Sequence, residues 1–244
     1  ENCNSSAHHL EDRDYPLDHK VNLLSFPSYG SIDIPSGIDD GIEDDIRAVI
    51  GEGYVAVNTD NGWIGALLNF EGLRGYWIIL QPDALEDGED VIFNYDLDNL
   101  DDGSCVYAPT DHDCGLGRTI NPYKAAAIPS GLETIQSTQQ AFYFIDNVDL
   151  LEGEIESGDW FVSYCGNSIT GSRQYLGEII DIPVMGYDGN ALTAGYCEQG
   201  DTPHFKLLKS GSHELISLNA DTPKWQSNGI FFLSNLQEAR PTPS

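Results

Sequence analysis

Asp181, Asp188, Asn190, Glu198 and Asp201 stand close together on one turn-rich stretch, and side-chain oxygens at that density suit a hard divalent cation. Calcium takes roughly six to eight oxygens, so carboxylates and turn carbonyls gathered at one end of a β-sandwich would hold it. A sparser group, Asp96, Asp98 and Asp101 beside Asp102-Gly103, is superficially similar to a calcium loop. It departs from EF-hand spacing: Leu100 falls where a loop begun at Asp96 needs a ligand, and no Glu closes one begun at Asp98. The competing use of all these side chains is local, as Asx turns and caps on backbone amides. Arg173 has an alternative role too, as the charge partner of Asp181 or Asp188.

Catalysis finds less to work with. A carboxylate pair for glycoside hydrolysis could be drawn from Asp159, Asp181, Asp188, Glu198 or Asp201, but 40 Asp and Glu make some such pair expected by chance. No G-x-S-x-G elbow occurs, and the cysteines read as disulfides rather than nucleophiles. The reading is therefore of a protein that is not an enzyme. Glycan binding is the alternative, carried by exposed aromatics on one face: Trp160, Tyr175, Tyr187 and Trp225. Trp63 and Trp77 could line a sugar platform as well, although aromatics alternating in strands usually enter the core. His8-His9 could ligate a metal, but the pair sits on a polar arm without periodicity.

Eleven Lys and Arg against 40 Asp and Glu leave a formal charge of −29. That excess excludes nucleic acid, whose phosphates call for cationic side chains, and disfavours anionic membrane surfaces. No apolar run is long enough to span a bilayer. The chain opens without Met, so Glu1 reads as a mature terminus left by removal of a signal peptide. Five cysteines then fit an oxidising compartment, secreted or at the cell surface. The preferred pairs are Cys105 with Cys114 and Cys165 with Cys197, leaving Cys3 over; other connectivities remain open. Asn4-Ser5-Ser6 fits an N-glycosylation sequon.

The elements that must position these residues read as short strands between turns. Val21–Phe26, Tyr54–Val57, Trp63–Leu67 and Gly75–Leu80 are strands of a first module, with Asn61-Gly62 a strong hairpin signal. Ile38, Ile42, Ile46, Val49 and Ile50 follow a helical spacing behind early acids, which predicts one short helix over Ile38–Ile50. In the second module Ala141–Ile145, Trp160–Tyr164 and Ile179–Val184 are strands, and Phe205–Leu208 and Glu214–Leu218 flank a hairpin turn. Gly229–Leu233 closes it. The fold expected is mostly β, two sandwich-like modules with one short helix in the first. Its parts are an arm over 1–19, a first module over 20–104, a cysteine-containing linker over 105–130, a second module over 131–238 and a tail over 239–244.

The run Gln136–Phe144 is similar to a "QSTxQAFYFF" opening. Gly158-Asp159-Trp160, Asp181–Gly189 (DIPVMGYDG), Thr193–Glu198 and Gly200–Lys206 follow it in the order of one known module. Asn22–Phe26, Val49–Gly53, Trp63-Ile64-Gly65 and Gly75–Ile78 (GYWI) resemble its companion unit, and Asp101–Cys105 resembles the cysteine-and-aspartate linker between them. Most of 20–236 thus resembles the repeated β-rich surface modules of large secreted proteins of marine Gram-negative bacteria, often exported by the type IX route. The resemblance implies an extracellular, multi-module β-sandwich protein with no assigned catalytic residues. The chain departs from that pattern in holding one copy of each module and no obvious C-terminal sorting domain. Together these readings predict a non-catalytic subunit of an extracellular filament or surface layer. It would assemble with itself through strand or arm contacts, with calcium the cofactor to expect at them; a secreted carbohydrate-binding or adhesion module is the alternative.

Overall fold

The computed structural model describes residues 14–18, 21–28, 30–85, 90–97, 127–177 and 180–240. The chain divides into two compact units, one over 1–51 and 55–124, the other over 52–54 and 125–244. Both are mostly β, and among the described residues the only helical segments are 3-10 turns at Pro35–Gly37, Glu43–Asp45 and Ala191–Thr193.

The first unit contributes β1 (Tyr15–Pro16), β2 (Val21–Ser25), β3 (Ser31–Asp33), β4 (Ile46–Ile50) and β5 (Val55–Thr59). It continues with β6 (Gly62–Ile64), β7 (Asn69–Glu71), β8 (Gly75–Leu80) and β9 (Ile92–Phe93). A five-stranded antiparallel sheet runs β2-β8-β4-β5-β6, and the pairs β3-β7 and β1-β9 stand beside it. Tyr76, Ile78 and Leu80 alternate inward along β8, meeting Phe26, Phe70, Phe93 and Tyr95 in an aromatic-rich core. Asp60 and Asn61 form the β5–β6 turn as the Asn-Gly signal predicts, with Gly62 supplying the one positive φ (98°) that the turn requires.

Two expectations fail here. The helix predicted over Ile38–Ile50 is absent. Asp39 Oδ1 accepts the Gly41 N–H at 2.7 Å and its carbonyl accepts the Ile42 N–H at 3.0 Å, closing a turn. Ile46, Ala48, Val49 and Ile50 then run as β4 between β8 and β5, buried on both faces, where β-branched side chains pack well. The isoleucine spacing was helical only because Ile38 and Ile42 reach the core from turns. Nor are residues 1–19 wholly an arm: Tyr15 and Pro16 pair with Phe93 and Ile92, and Leu17 is buried.

The second unit contributes β10 (Gln140–Ile145), β11 (Val148–Asp149), β12 (Trp160–Cys165), β13 (Ser168–Gln174) and β14 (Ile180–Met185). After these come β15 (His204–Leu208), β16 (Leu215–Asn219), β17 (Ile230–Leu233) and β18 (Leu236–Glu238). Sheets ordered β14-β10-β17 and β11-β18-β16-β15-β12-β13 enclose a core of Tyr143, Ile182, Val184, Phe161, Phe205 and Leu207. β10, β12 and β14 are buried along their whole length, so the alternation read in Trp160–Tyr164 and Ile179–Val184 does not mark a solvent-facing side.

Candidate functional site

The DIPVM stretch lies in β14 with Gly186 just beyond it, and these residues are committed to holding the sandwich together. Arg173 on β13 donates through Nη2 to the Asp181 carboxylate and through Nε to the Asp181 carbonyl, both at 2.9 Å. Ser163 Oγ donates to the Pro183 carbonyl at 2.9 Å and lies 3.1 Å from Thr170 Oγ1. Gly171 brings β13 close to β14, since a Cβ on it would overlap the Pro183 carbonyl oxygen. Trp225 donates its indole N–H to the Val184 carbonyl at 2.9 Å, and its ring fills the space a Cβ on Gly186 would need.

Asp188, Asn190 and Asp201, expected at a calcium site, serve nearby backbone amides. Asp188 accepts the Thr193 hydroxyl at 2.6 Å and the Asn190 N–H at 3.0 Å, and these bonds hold its carboxyl below the usual range. Asn190 Oδ1 caps the 3-10 turn through the Leu192 N–H, and Asp201 accepts the Glu198 N–H at 2.8 Å. Asp181, buried at 2% exposure, faces Arg173. The arrangement is that of Asx turns and one ion pair. Among the described residues no three His, Cys, Asp or Glu are grouped to hold a metal ion. Asp96 donates its N–H to the Gly37 carbonyl at 3.2 Å. Asp98, Asp101, Asn4, His8-His9, Cys3 and the Cys105–Cys114 pair lie outside the described residues.

The aromatic face expected from Trp160, Tyr175, Tyr187 and Trp225 is corrected by burial. Trp160 and Trp225 are 6% and 3% exposed, because indole area on a fully buried strand and beside Gly186 stabilises more in the core than in water. Tyr175 meets Phe161 edge-on at 6.3 Å, which leaves Tyr187 as the exposed member.

Cys165 and Cys197 form the expected disulfide, their Cα atoms 5.3 Å apart. It ties the end of β12 to the loop beyond β14, where Cys197 bridges Gly186. A bridge of sequence separation 32 constrains the unfolded chain substantially. Changing both cysteines to serine is expected to cost about 3 kcal/mol, read as a lower urea midpoint at pH 7.

Sequence reasoning did not single out two sheet edges that no other strand covers among the described residues. β2 ends the five-stranded sheet, and its VNLLS carries no charge and no proline. Phe26 N–H bonds the Arg74 carbonyl at 2.9 Å, so by alternation Val21, Leu23 and Ser25 turn their backbone groups to the open side. Leu23 is 63% exposed. β17 ends the three-stranded sheet as IFFL, with Phe232 57% exposed and stacked on Phe144. The other edges of the three larger sheets are guarded: β6 and β11 are short, β13 carries Arg173, and β14 carries Asp181 and Pro183. Charge counts along the sequence do not reveal this contrast, because most of the predicted strands are uncharged; only the strand order shows which of them are edges. No family model matches the chain, and no curated protein or solved structure matches it.

Proposed function

We propose that the chain is a non-catalytic structural subunit of an extracellular filament or surface layer, assembling by strand addition at β2 and β17. The observation that carries the reading is the pair of uncharged, apolar, unguarded edges in a chain of net charge −29. Open edges template pairing with another chain, and soluble β proteins normally blunt them. Two different edges pair head to tail, and head-to-tail contacts that do not close give an open filament. The disulfide and the resemblance to secreted surface modules support an extracellular setting.

The test uses the full chain and two charge insertions, Leu23→Lys and Phe232→Lys, both at exposed positions. Sedimentation and negative-stain imaging are expected to show concentration-dependent filaments for the parent chain and none for either variant alone. An equal mixture of the two variants is expected to stop at heterodimers, since each retains the edge the other lacks. Monomers at every concentration of the parent chain would sink the reading. Imaging the parent with and without a chelator reads whether calcium contributes to the contacts.

A further inference from the structure

We infer that the first unit carries a binding groove for one ring of a neutral sugar, separate from the edges that would assemble the chain. The groove has a volume of about 370 Å³ and is lined by Asp33, Pro35, Ala56, Trp63, Leu67 and Asn69, among others. That volume lies at the small end of the ~300–1,000 Å³ range of ligand pockets, enough for one or two sugar rings.

Its walls are held by the backbone. Ile34 N–H bonds the Leu68 carbonyl at 2.8 Å, and Leu67 N–H bonds the Val55 carbonyl at 3.0 Å. Gly65, at φ 119°, lets that segment lie against Val55, where a Cβ would overlap the Val55 carbonyl oxygen. Trp63 is fixed as well, because its indole N–H donates to Glu43 Oε1 at 2.6 Å. An indole whose only donor is already used offers a ligand apolar surface, which suits the C–H face of a pyranose.

The polar groups match that ring. Asp33 and Asn69 are direct partners across β3 and β7, so their side chains share one face at the groove. Asp33 Oδ2 accepts the Ser36 N–H at 3.2 Å, leaving Oδ1, and the Asn69 amide makes no hydrogen bond among the described residues. A carboxylate oxygen and an amide side by side can accept from and donate to neighbouring hydroxyls. Charge selects within the sugars. The lining includes a carboxylate and no cation, and the chain is strongly acidic, so sulfated and uronic sugars are repelled and neutral ones are not.

The test titrates the full chain with cellobiose, lactose, mannobiose and diacetylchitobiose, followed by saturation-transfer NMR and calorimetry, with a sulfated heparin disaccharide as comparator. At least one neutral disaccharide is expected to bind with a roughly millimolar or tighter Kd, and the sulfated one not to bind. Asn69→Ala, at a half-buried position whose side chain has no hydrogen bond among the described residues, is expected to keep the melting temperature and weaken binding about tenfold. Trp63→Phe is expected to retain part of the binding that Trp63→Ala abolishes. The inference is overturned if no neutral disaccharide binds, if Asn69→Ala and Trp63→Ala leave binding unchanged, or if a proline-rich peptide is preferred at the same residues.

Discussion

Replacing Gly171 by alanine is expected to cost the second unit about 2–4 kcal/mol, a large share of an ordinary domain's stability. The added methyl would overlap the Pro183 carbonyl oxygen, a backbone atom that no rotamer change can move aside. β13 would have to draw away from β14, and Ser163 Oγ, fully buried, would lose its 2.9 Å bond to the same carbonyl. Overpacking against backbone costs about 1–3 kcal/mol, and losing the Pro183 bond adds about 1 kcal/mol more, since Thr170 Oγ1 at 3.1 Å still partners the Ser163 hydroxyl. Gly211→Ala is the control. That glycine has nothing within 4 Å of an added Cβ and no positive φ. Its substitution is expected to be neutral or to stabilise by up to about 1 kcal/mol through the unfolded chain. Urea midpoints of the two variants at pH 7 decide the matter; equal midpoints would show that the two strands can part without penalty.

The close approach at Gly171 also marks where reading the sequence stops. Contacts set by neighbours in the chain were legible. Asp60, Asn61 and Gly62 make their turn, Lys209–Glu214 closes the β15–β16 hairpin, and β10 could be read from Ala141–Ile145 because a doubly buried strand has no polar face to show. Cys165–Cys197 was legible because both lie among predicted strands of one module. Arg173 was legible as a charge partner of Asp181 or Asp188 because a cation amid many carboxylates is drawn to one of them, and Asp181 is the one it meets. Positions decided by distant segments were not. Trp160 and Trp225 have the same composition whether they line a glycan face or a core, and only the strand packed against them settles which. Asp188 and Asp201 look like cation ligands in one dimension because the amides they cap lie two or three residues away. Ile46–Ile50 failed for a related reason: a short β-branched run fits either period until its sheet neighbours are known.

Asp159→Asn is expected to destabilise by about 3–5 kcal/mol at neutral pH, the range for breaking a buried ion pair from one side. The Asp159 carboxylate is fully buried and accepts four bonds: Lys209 Nζ at 2.6 Å, the Glu156 N–H at 2.9 Å, and the Ser210 N–H and Oγ at 2.8 and 3.1 Å. An amide in its place turns hydrogens toward some of these donors and leaves Lys209 without its counter-charge. Burial alone would raise the Asp159 pKa, but the bonds from Lys209, Ser210 and Glu156 outweigh it and hold the carboxyl below its ordinary value. Linkage then fixes the sign. A depressed pKa contributes stability that is complete above the unfolded carboxylate value of about 3.9 and is lost as pH falls through the lower folded value. The gap between parent and variant should therefore be widest at neutral pH and narrow steadily below about pH 4. A gap that stays constant through that range would mean that Asp159 acts through shape and hydrogen bonding without its charge. Removing both partners, as Asp159→Asn with Lys209→Met, should recover part of the loss, because the residual cost of either single change is an unpaired group beside a buried one. Failure of the double variant to recover any stability would place the effect in the Ser210 and Glu156 amides, which both single and double changes leave facing the wrong atom.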